Sequence, residues 1–209
     1  PMICGVHKMR RDGVAKPEDT KRFAAKIHDE AESLMSLIDD IIRLSQLDEK
    51  TSLPELMAVD LKPICEDICR RLEPLAQKAG VSLVANLESA RVRGIPKMLE
   101  EIVQNLVDNA IKYNTTNGSV GVSLHASGHM VTLSVSDTGI GIPEEHLSRV
   151  FERFYRVDRS RNKQIGGTGL GLSIVKHAAE TLGATVQLES KLGIGTTVTI
   201  TFPAASDPV

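Results

Sequence analysis

Between residues 57 and 204 two hydrophobic periods alternate along the chain, and neither an all-helical nor an all-strand arrangement can satisfy both. Residues 57–60, 81–87, 92–95, 120–125, 131–135, 185–188 and 196–202 read as strands, with one hairpin turning around Gly128 and another closing the domain. Helical patterns lie between them. Asp60 can cap a helix running to about Lys78, with Pro63 in its first turn, where the missing N–H is harmless. Pro96 starts a second helix that continues to about Tyr113, and a third follows Gly169. This order predicts a mixed α/β domain over residues 57–204.

The chain before it follows another rule. From residue 17 to 47, Phe23, Ile27, Leu34, Ile38 and Ile41 share one helical line, and Leu37 and Leu44 add a second line beside it. Residues 3–11 read as the end of an earlier helix, with Asp12-Gly13 and Pro17-Glu18-Asp19 as the connection. Residues 1–47 are thus expected to form a helical hairpin, truncated in its first helix. One hairpin cannot enclose two apolar lines, which predicts self-association into a homodimeric four-helix bundle. Residues 48–56, polar and carrying Pro54, read as a linker.

Composition narrows the partners. Lys+Arg 25 against Asp+Glu 27 leaves a formal net charge of −2, so no global basic field exists to hold nucleic acid or anionic lipid. Any polyanion must be bound locally. No apolar run approaches the roughly 20 residues of a membrane span, and no stretch reads as a secretory leader. Three cysteines without metal-site spacing fit a reducing compartment, and Cys65 and Cys69 read as small buried side chains on one helix.

Three segments carry chemistry. On the helix from Pro96, Leu99, Ile102, Val103, Leu106 and Ala110 share one face, while Glu101, Asn105, Asp108, Asn109 and Lys112 fall on the other. Asn105 and Asn109, one turn apart, can aim neutral amide oxygens at a single point; such hard donors suit Mg²⁺ that keeps water and phosphate oxygens, and Lys112 adds a positive charge nearby. Asp137-Thr138-Gly139-Ile140-Gly141-Ile142-Pro143 directly follows a strand, where glycines allow a ligand close to the backbone. The Asp137 carboxylate is an acceptor only, which favours adenine over guanine at such an edge. Phe151, Phe154 and Tyr155 interleave with Arg153 and Arg156, and a charged loop then ends in Gly166-Gly167-Thr168-Gly169-Leu170-Gly171-Leu172 before a helix. Glycine-rich backbone entering a helix N-terminus is an anion site. It is neither a dinucleotide-binding fingerprint nor a P-loop, since no strand precedes it and no Gly-Lys-Ser/Thr ends it.

Together these segments resemble the ATP-binding catalytic domain of sensor histidine kinases, in the gyrase and heat-shock-chaperone ATPase superfamily. Asn105 to Tyr113 is similar to the N box, Asp137 to Gly141 to the G1 box, Phe151 to Arg156 to the F box, Gly167 to Gly171 to the G2 box, and Gly193 to Thr197 to the terminal glycine motif. The resemblance implies an α+β architecture: the hairpin, then an α/β sandwich whose helices cover one face of a mixed sheet, with residues about 142–169 as a lid. It implies ATP and Mg²⁺ as ligands, with Asn109 on the metal, Asp137 on adenine, Lys112 and Arg156 on phosphates and Tyr113 as a wall. Asn105, Lys112 and Arg156 become the catalytic candidates; Gly139, Ile140, Gly141, Ile142, Phe154, Gly167, Thr168, Gly169, Leu170, Gly171, Leu172 and Thr197 complete the nucleotide site. Where hydrolysing relatives place a catalytic Glu one turn before the magnesium Asn, this sequence has Asn105, which favours phosphoryl transfer over hydrolysis.

The chain departs from the family at the phosphoacceptor. None of its six histidines carries the expected acid and proline on a first helix: His7 precedes Lys8, and His28-Asp29-Glu30 falls on the second helix without the proline. The expectation is that the acceptor helix precedes Ile3. The resemblance implies a response-regulator receiver domain as partner, no nucleic acid, no direct membrane contact in this fragment, and a cytoplasmic position that a membrane-bound sensor would also provide. Two rivals stand beside this reading: a serine kinase of the anti-sigma-factor type, and a non-enzymatic nucleotide-binding dimerisation module. The hairpin ending Leu44-Ser45-Gln46-Leu47-Asp48 favours the histidine kinase over the serine kinase.

Overall fold

The computed structural model describes residues 55–157 and 168–205, together with the helical residues 21, 23–25, 27, 28, 31, 34, 35 and 38. Strand β1 (Met57–Asp60) ends on the residue that starts helix α1 (Leu61–Ala79). Asp60 Oδ1 accepts the Lys62 N–H at 3.0 Å, satisfying one of the donors a helix start leaves open. The same carboxylate accepts the Ala90 N–H at 3.3 Å and the Ser89 hydroxyl at 2.8 Å, so one side chain joins α1 to the loop before β3 (Arg91–Gly94). Burial works to raise the Asp60 carboxyl, yet these bonds and the Arg91 charge bring it below its ordinary value. Gly80, at φ 69°, closes α1 in the left-handed conformation that a side chain disfavours.

Beyond β2 (Ser82–Leu87) come α2 (Pro96–Lys112), β4 (Ser119–Ser127), β5 (Met130–Asp137), a 3-10 turn at Glu144–His146, α3 (Gly171–Thr181), β6 (Thr185–Lys191) and β7 (Gly195–Pro203). The larger sheet runs β2-β4-β5-β7-β6, with β2 parallel to β4 and every other pair antiparallel. β1 and β3 form a two-stranded antiparallel sheet, bridged to the end of β7 through Val92 and Ala204. Alternate residues of the central strands, Val120, Val122 and Leu124, Val131, Leu133 and Val135, and Val198, Ile200 and Phe202, are buried. They pack with Leu99, Ile102, Val103 and Leu106 of α2 and Val175, Ala178 and Ala179 of α3 in one core. α2 lies between α1 and α3. Helices therefore cover one face of a mixed sheet, as the resemblance implied.

The strand and helix expectations hold to within about two residues, except that β6 runs three residues past the expected end at Leu188. β7 inserts between β5 and β6, so the last strand among the described residues is paired on both sides and β6 takes the edge. At the N-terminal end the described residues are helical, with Phe23 half-buried and Ile27, Leu34, Met35 and Ile38 between 40% and 61% exposed. Ile41, the second line of Leu37 and Leu44, the first helix at 3–11 and most of the linker lie outside the described residues. Cys65 is fully buried, and burial first of all pushes its thiol up to about 12, which suits the packing role expected of it. Among the described residues no helix is long and apolar enough to cross a membrane.

Candidate functional site

A cleft of about 970 Å³ opens between the polar face of α2, the loop after β5 and the start of α3. Its size suits a ligand as large as a nucleotide. The walls are built from three sources. Asn105, Asn109 and Lys112 come from α2, Asp137, Ile140, Gly141 and Ile142 from β5 and its loop, and Thr168, Gly169, Gly171 and Leu172 from the entry to α3.

On α2, Asn105 Nδ2 donates to the Glu101 carbonyl at 2.8 Å, one turn back, which turns its Oδ1 towards α3. A Cβ placed on Gly171 would lie 3.0 Å from Asn105 Oδ1 and 3.4 Å from Asn109 Nδ2. Both amides thus lie beside the first residue of α3, Asn105 through its Oδ1 and Asn109 through its Nδ2, and the glycine leaves room between them and the helix N-terminus. Asn105 thus offers a neutral oxygen at this positive dipole end, and the Asn109 side-chain amide would have to turn over to offer a second to a magnesium ion carried in with an anion. Lys112 adds a feature the sequence left unread: its Nζ lies 2.6 Å from Asp108 Oδ2, so its charge is shared with an acid on the same helix.

Asp137 ends β5 at the cleft floor. Its Oδ1 accepts the Gly139 N–H at 2.8 Å and the Thr196 N–H at 3.3 Å, which fixes the carboxylate in the cleft lining and leaves its acceptor Oδ2 outside these two bonds. Burial pushes the carboxyl up, against the downward pull of those two amides. The loop that follows is pinned to its surroundings. Ile140 N–H donates to the Tyr113 carbonyl at 3.0 Å, Gly193 N–H to the Ile140 carbonyl at 2.8 Å, and Ile142 N–H to Ser190 Oγ at 2.8 Å. Any Cβ on Gly139 would stand 2.2 Å from the Tyr113 carbonyl oxygen, so glycine is what allows the loop to lie against the end of α2.

Tyr155, Arg156 and Val157 close the remaining side, and Tyr155 is held from behind. Its hydroxyl is 2.6 Å from His146 Nδ1, and the Arg149 guanidinium lies 4.3 Å from its ring centroid while forming paired bonds to Glu152.

Most of the expected residues line the cleft, but four do not. Phe154 is 54% exposed with φ 63°, and its N–H bonds to the Gly169 carbonyl at 2.9 Å; the neighbouring Tyr155 lines the cleft instead. Leu170 is fully buried and anchors the start of α3, where its carbonyl accepts the Ile174 N–H and the Ser173 hydroxyl. Gly139 sits behind the wall against Tyr113. Thr197 is paired with Ser136, whereas Thr196, paired with Asp137, lines the cleft. Strand residues alternate faces, so a shift of one position moves the role to the neighbouring threonine. Gly167 lies outside the described residues. The apolar wall of Val135, Leu188, Leu192 and Val198 was also missed, because it comes from strands distant in sequence.

The family described as "Histidine kinase-, DNA gyrase B-, and HSP90-like ATPase" matches residues 94–206. The chain is 38% identical over 193 residues to the sensor-like histidine kinase SenX3 of Mycolicibacterium smegmatis, covering 92% of this chain and 50% of that protein. It is also similar to the sensor histidine kinase YkoH of Bacillus subtilis, at 36% over 194 residues, 93% of this chain and 42% of that one. Among solved structures, full-length ShkA in complex with AMPPNP superimposes with a TM-score of 0.75 and 25% identity, over 93% of this chain and 40% of that chain. The chain spans half or less of the length of these relatives.

Proposed function

Because this chain belongs to the histidine kinase-, DNA gyrase B- and HSP90-like ATPase family and carries a histidine kinase ATP-binding catalytic domain, we propose that it is the kinase core of a two-component sensor histidine kinase. In this reading residues 57–204 bind Mg-ATP, residues 1–47 form the dimerising hairpin, and the γ-phosphoryl group passes to a histidine of the hairpin's first helix, which is none of the six in this sequence, and then to an aspartate of a response-regulator receiver domain. The chain works on the cytoplasmic side. One observation carries the proposal: a single cleft is lined by an acceptor-only carboxylate, Asp137, by the cations Lys112 and Arg156, and by Asn105 and Asn109 beside the first residue of α3. The AMPPNP named for the ShkA structure, an ATP analogue, supports the same choice of ligand.

The chemistry asked of the protein is positioning and charge neutralisation. Asp137 orients the base by accepting its exocyclic amine, and Tyr113 and Ile140 flank it. Lys112 and Arg156 face the phosphates, and the backbone of residues 168–171 offers N–H groups at the start of α3. Bound Mg²⁺, held by Asn109 with Asn105 beside it, would neutralise phosphate charge. Asn105 replaces a general base with an amide that cannot take a proton from water, so the site holds ATP without activating a water molecule to attack it.

The test uses γ-labelled ATP, this chain, and a separately supplied dimerisation hairpin bearing an acceptor histidine. Acid-labile, alkali-stable phosphate on the hairpin is expected. Acid-stable phosphate on serine or threonine would replace this reading with the serine-kinase one, and nucleotide binding without any transfer would leave a binding module.

A further inference from the structure

Asp137, Thr196 and Ser190 stand in one row across three adjacent strands, with Thr196 of β7 opposite Asp137 of β5 on one side and Ser190 of β6 on the other. The first two line the cleft; Ser190 is half-buried just behind them. No sequence motif pointed to Ser190. Its hydroxyl nevertheless makes three contacts: 2.8 Å from the Ile142 N–H, 2.9 Å from the Gly195 carbonyl and 2.8 Å from Thr196 Oγ1.

A serine hydroxyl has one proton and two acceptor sites. The Ile142 amide can only donate and the Gly195 carbonyl can only accept, so two of the three contacts are fixed in direction. Ser190 gives its proton to Gly195 and takes one from Ile142. The contact with Thr196 is then satisfied only when Thr196 donates. We infer that Ser190 sets the direction of the Thr196 hydroxyl, so that Thr196 Oγ1 presents lone pairs alone to the cleft, and that Ser190 is thereby a positioning residue for base selectivity.

The consequence is a base-recognition edge with no donor side chain. Asp137 Oδ2 and Thr196 Oγ1 are both acceptors, matched to a purine with an exocyclic amine and set against one with a carbonyl at that place. The same serine also holds the loop after β5 through Ile142, so geometry and proton direction are established by one group. This inference rests on the reading of the cleft as an adenine-nucleotide site.

Calorimetric affinities of the chain for ATP and for inosine triphosphate, which replaces the 6-amine by a carbonyl, provide the test. Ser190→Ala releases the Thr196 proton to turn into the cleft, and the ATP preference should shrink by about fivefold, the equivalent of one neutral hydrogen bond. Ser190→Thr should restore the parent ratio. In a Thr196→Val background Ser190→Ala should leave the ratio where Thr196→Val set it, because the hydroxyl being directed is gone. An unchanged ratio in a Ser190→Ala protein that still binds ATP overturns the inference and leaves the adenine reading standing. Should Ser190→Ala not fold, Thr196→Val decides alone: a smaller ratio supports the inference, and equal losses for both nucleotides overturn it. If the parent chain binds neither nucleotide, the adenine reading fails and the inference fails with it.

Discussion

Lys112 reaches back one helical turn to Asp108, Nζ to Oδ2, at 2.6 Å, with the two side chains 36% and 25% exposed. A pair this close to solvent adds little to stability, about 0.3–0.5 kcal/mol for helix neighbours. On the proposed ATP reading its weight falls on the cleft instead, because Asp108 would compete with phosphate for the lysine charge. Lys112→Ala should weaken ATP binding several-fold more than adenosine binding. Asp108→Asn should tighten ATP binding and lower the melting temperature by no more than a few degrees. Titration calorimetry with both ligands checks the pair; an Asp108→Asn protein that binds ATP less tightly would place the acid among the ligands.

Asp137→Ala should cost about 1–3 kcal/mol of ATP affinity, roughly 5- to 150-fold, by leaving a buried partner unmet. There is also a pH dependence. Burial raises the Asp137 carboxyl, and only its ionised form is an obligate acceptor, so ATP affinity should fall on acidification at a pH above the ordinary aspartate range. An Asp137→Ala protein that binds ATP as tightly as the parent would remove the carboxylate from base recognition.

Asn109 is expected to act through the metal. Asn109→Ala should reduce magnesium-dependent ATP binding and leave adenosine binding close to the parent value. Equal losses for the two ligands would mean that Asn109 supports α2 rather than the ion.

Asp60 supplies a stability prediction independent of ligand. Its folded carboxyl lies below the ordinary value, so the stabilisation is present above the unfolded-state pKa and is lost as pH falls through the folded one. Asp60→Ala should cost about 0.5–2 kcal/mol as a lost cap, visible in denaturant melts at neutral pH. The parent and variant curves should converge in acid; a constant gap would show that the carboxylate charge is irrelevant.

The apolar residues of the N-terminal helical segment give the last prediction. Leu34 and Ile38 are 58% and 43% exposed in the single chain, and self-association would cover them. Sedimentation should find a dimer that Leu34→Glu with Ile38→Glu converts to a monomer, with ATP affinity unchanged. A parent chain that remains monomeric at high concentration would remove the hairpin as the dimer contact.

Local chemistry determined the elements of this protein, and the reason is that caps, proline positions and hydrophobic periods act within a few residues. Asp60 before Pro63, Pro96 before the N-box pattern, and the alternation around Gly128 each specify their element without knowledge of the rest. That Asn105 and Asn109 share one side of α2 was equally legible, since one helical turn separates them, and both line the cleft. Tertiary structure decided which member of each motif reaches the cleft. Thr196 rather than Thr197, and Ser190 at all, follow from β7 inserting between β5 and β6, a pairing of segments up to 73 residues apart in register. Because strand side chains alternate faces at every residue, the register chooses between neighbours that are equivalent in sequence. Tyr155 rather than Phe154 lines the cleft for a related reason: the groups in contact with it, His146 and Arg149, belong to a turn folded against it, and Phe154 before it stands at φ 63°.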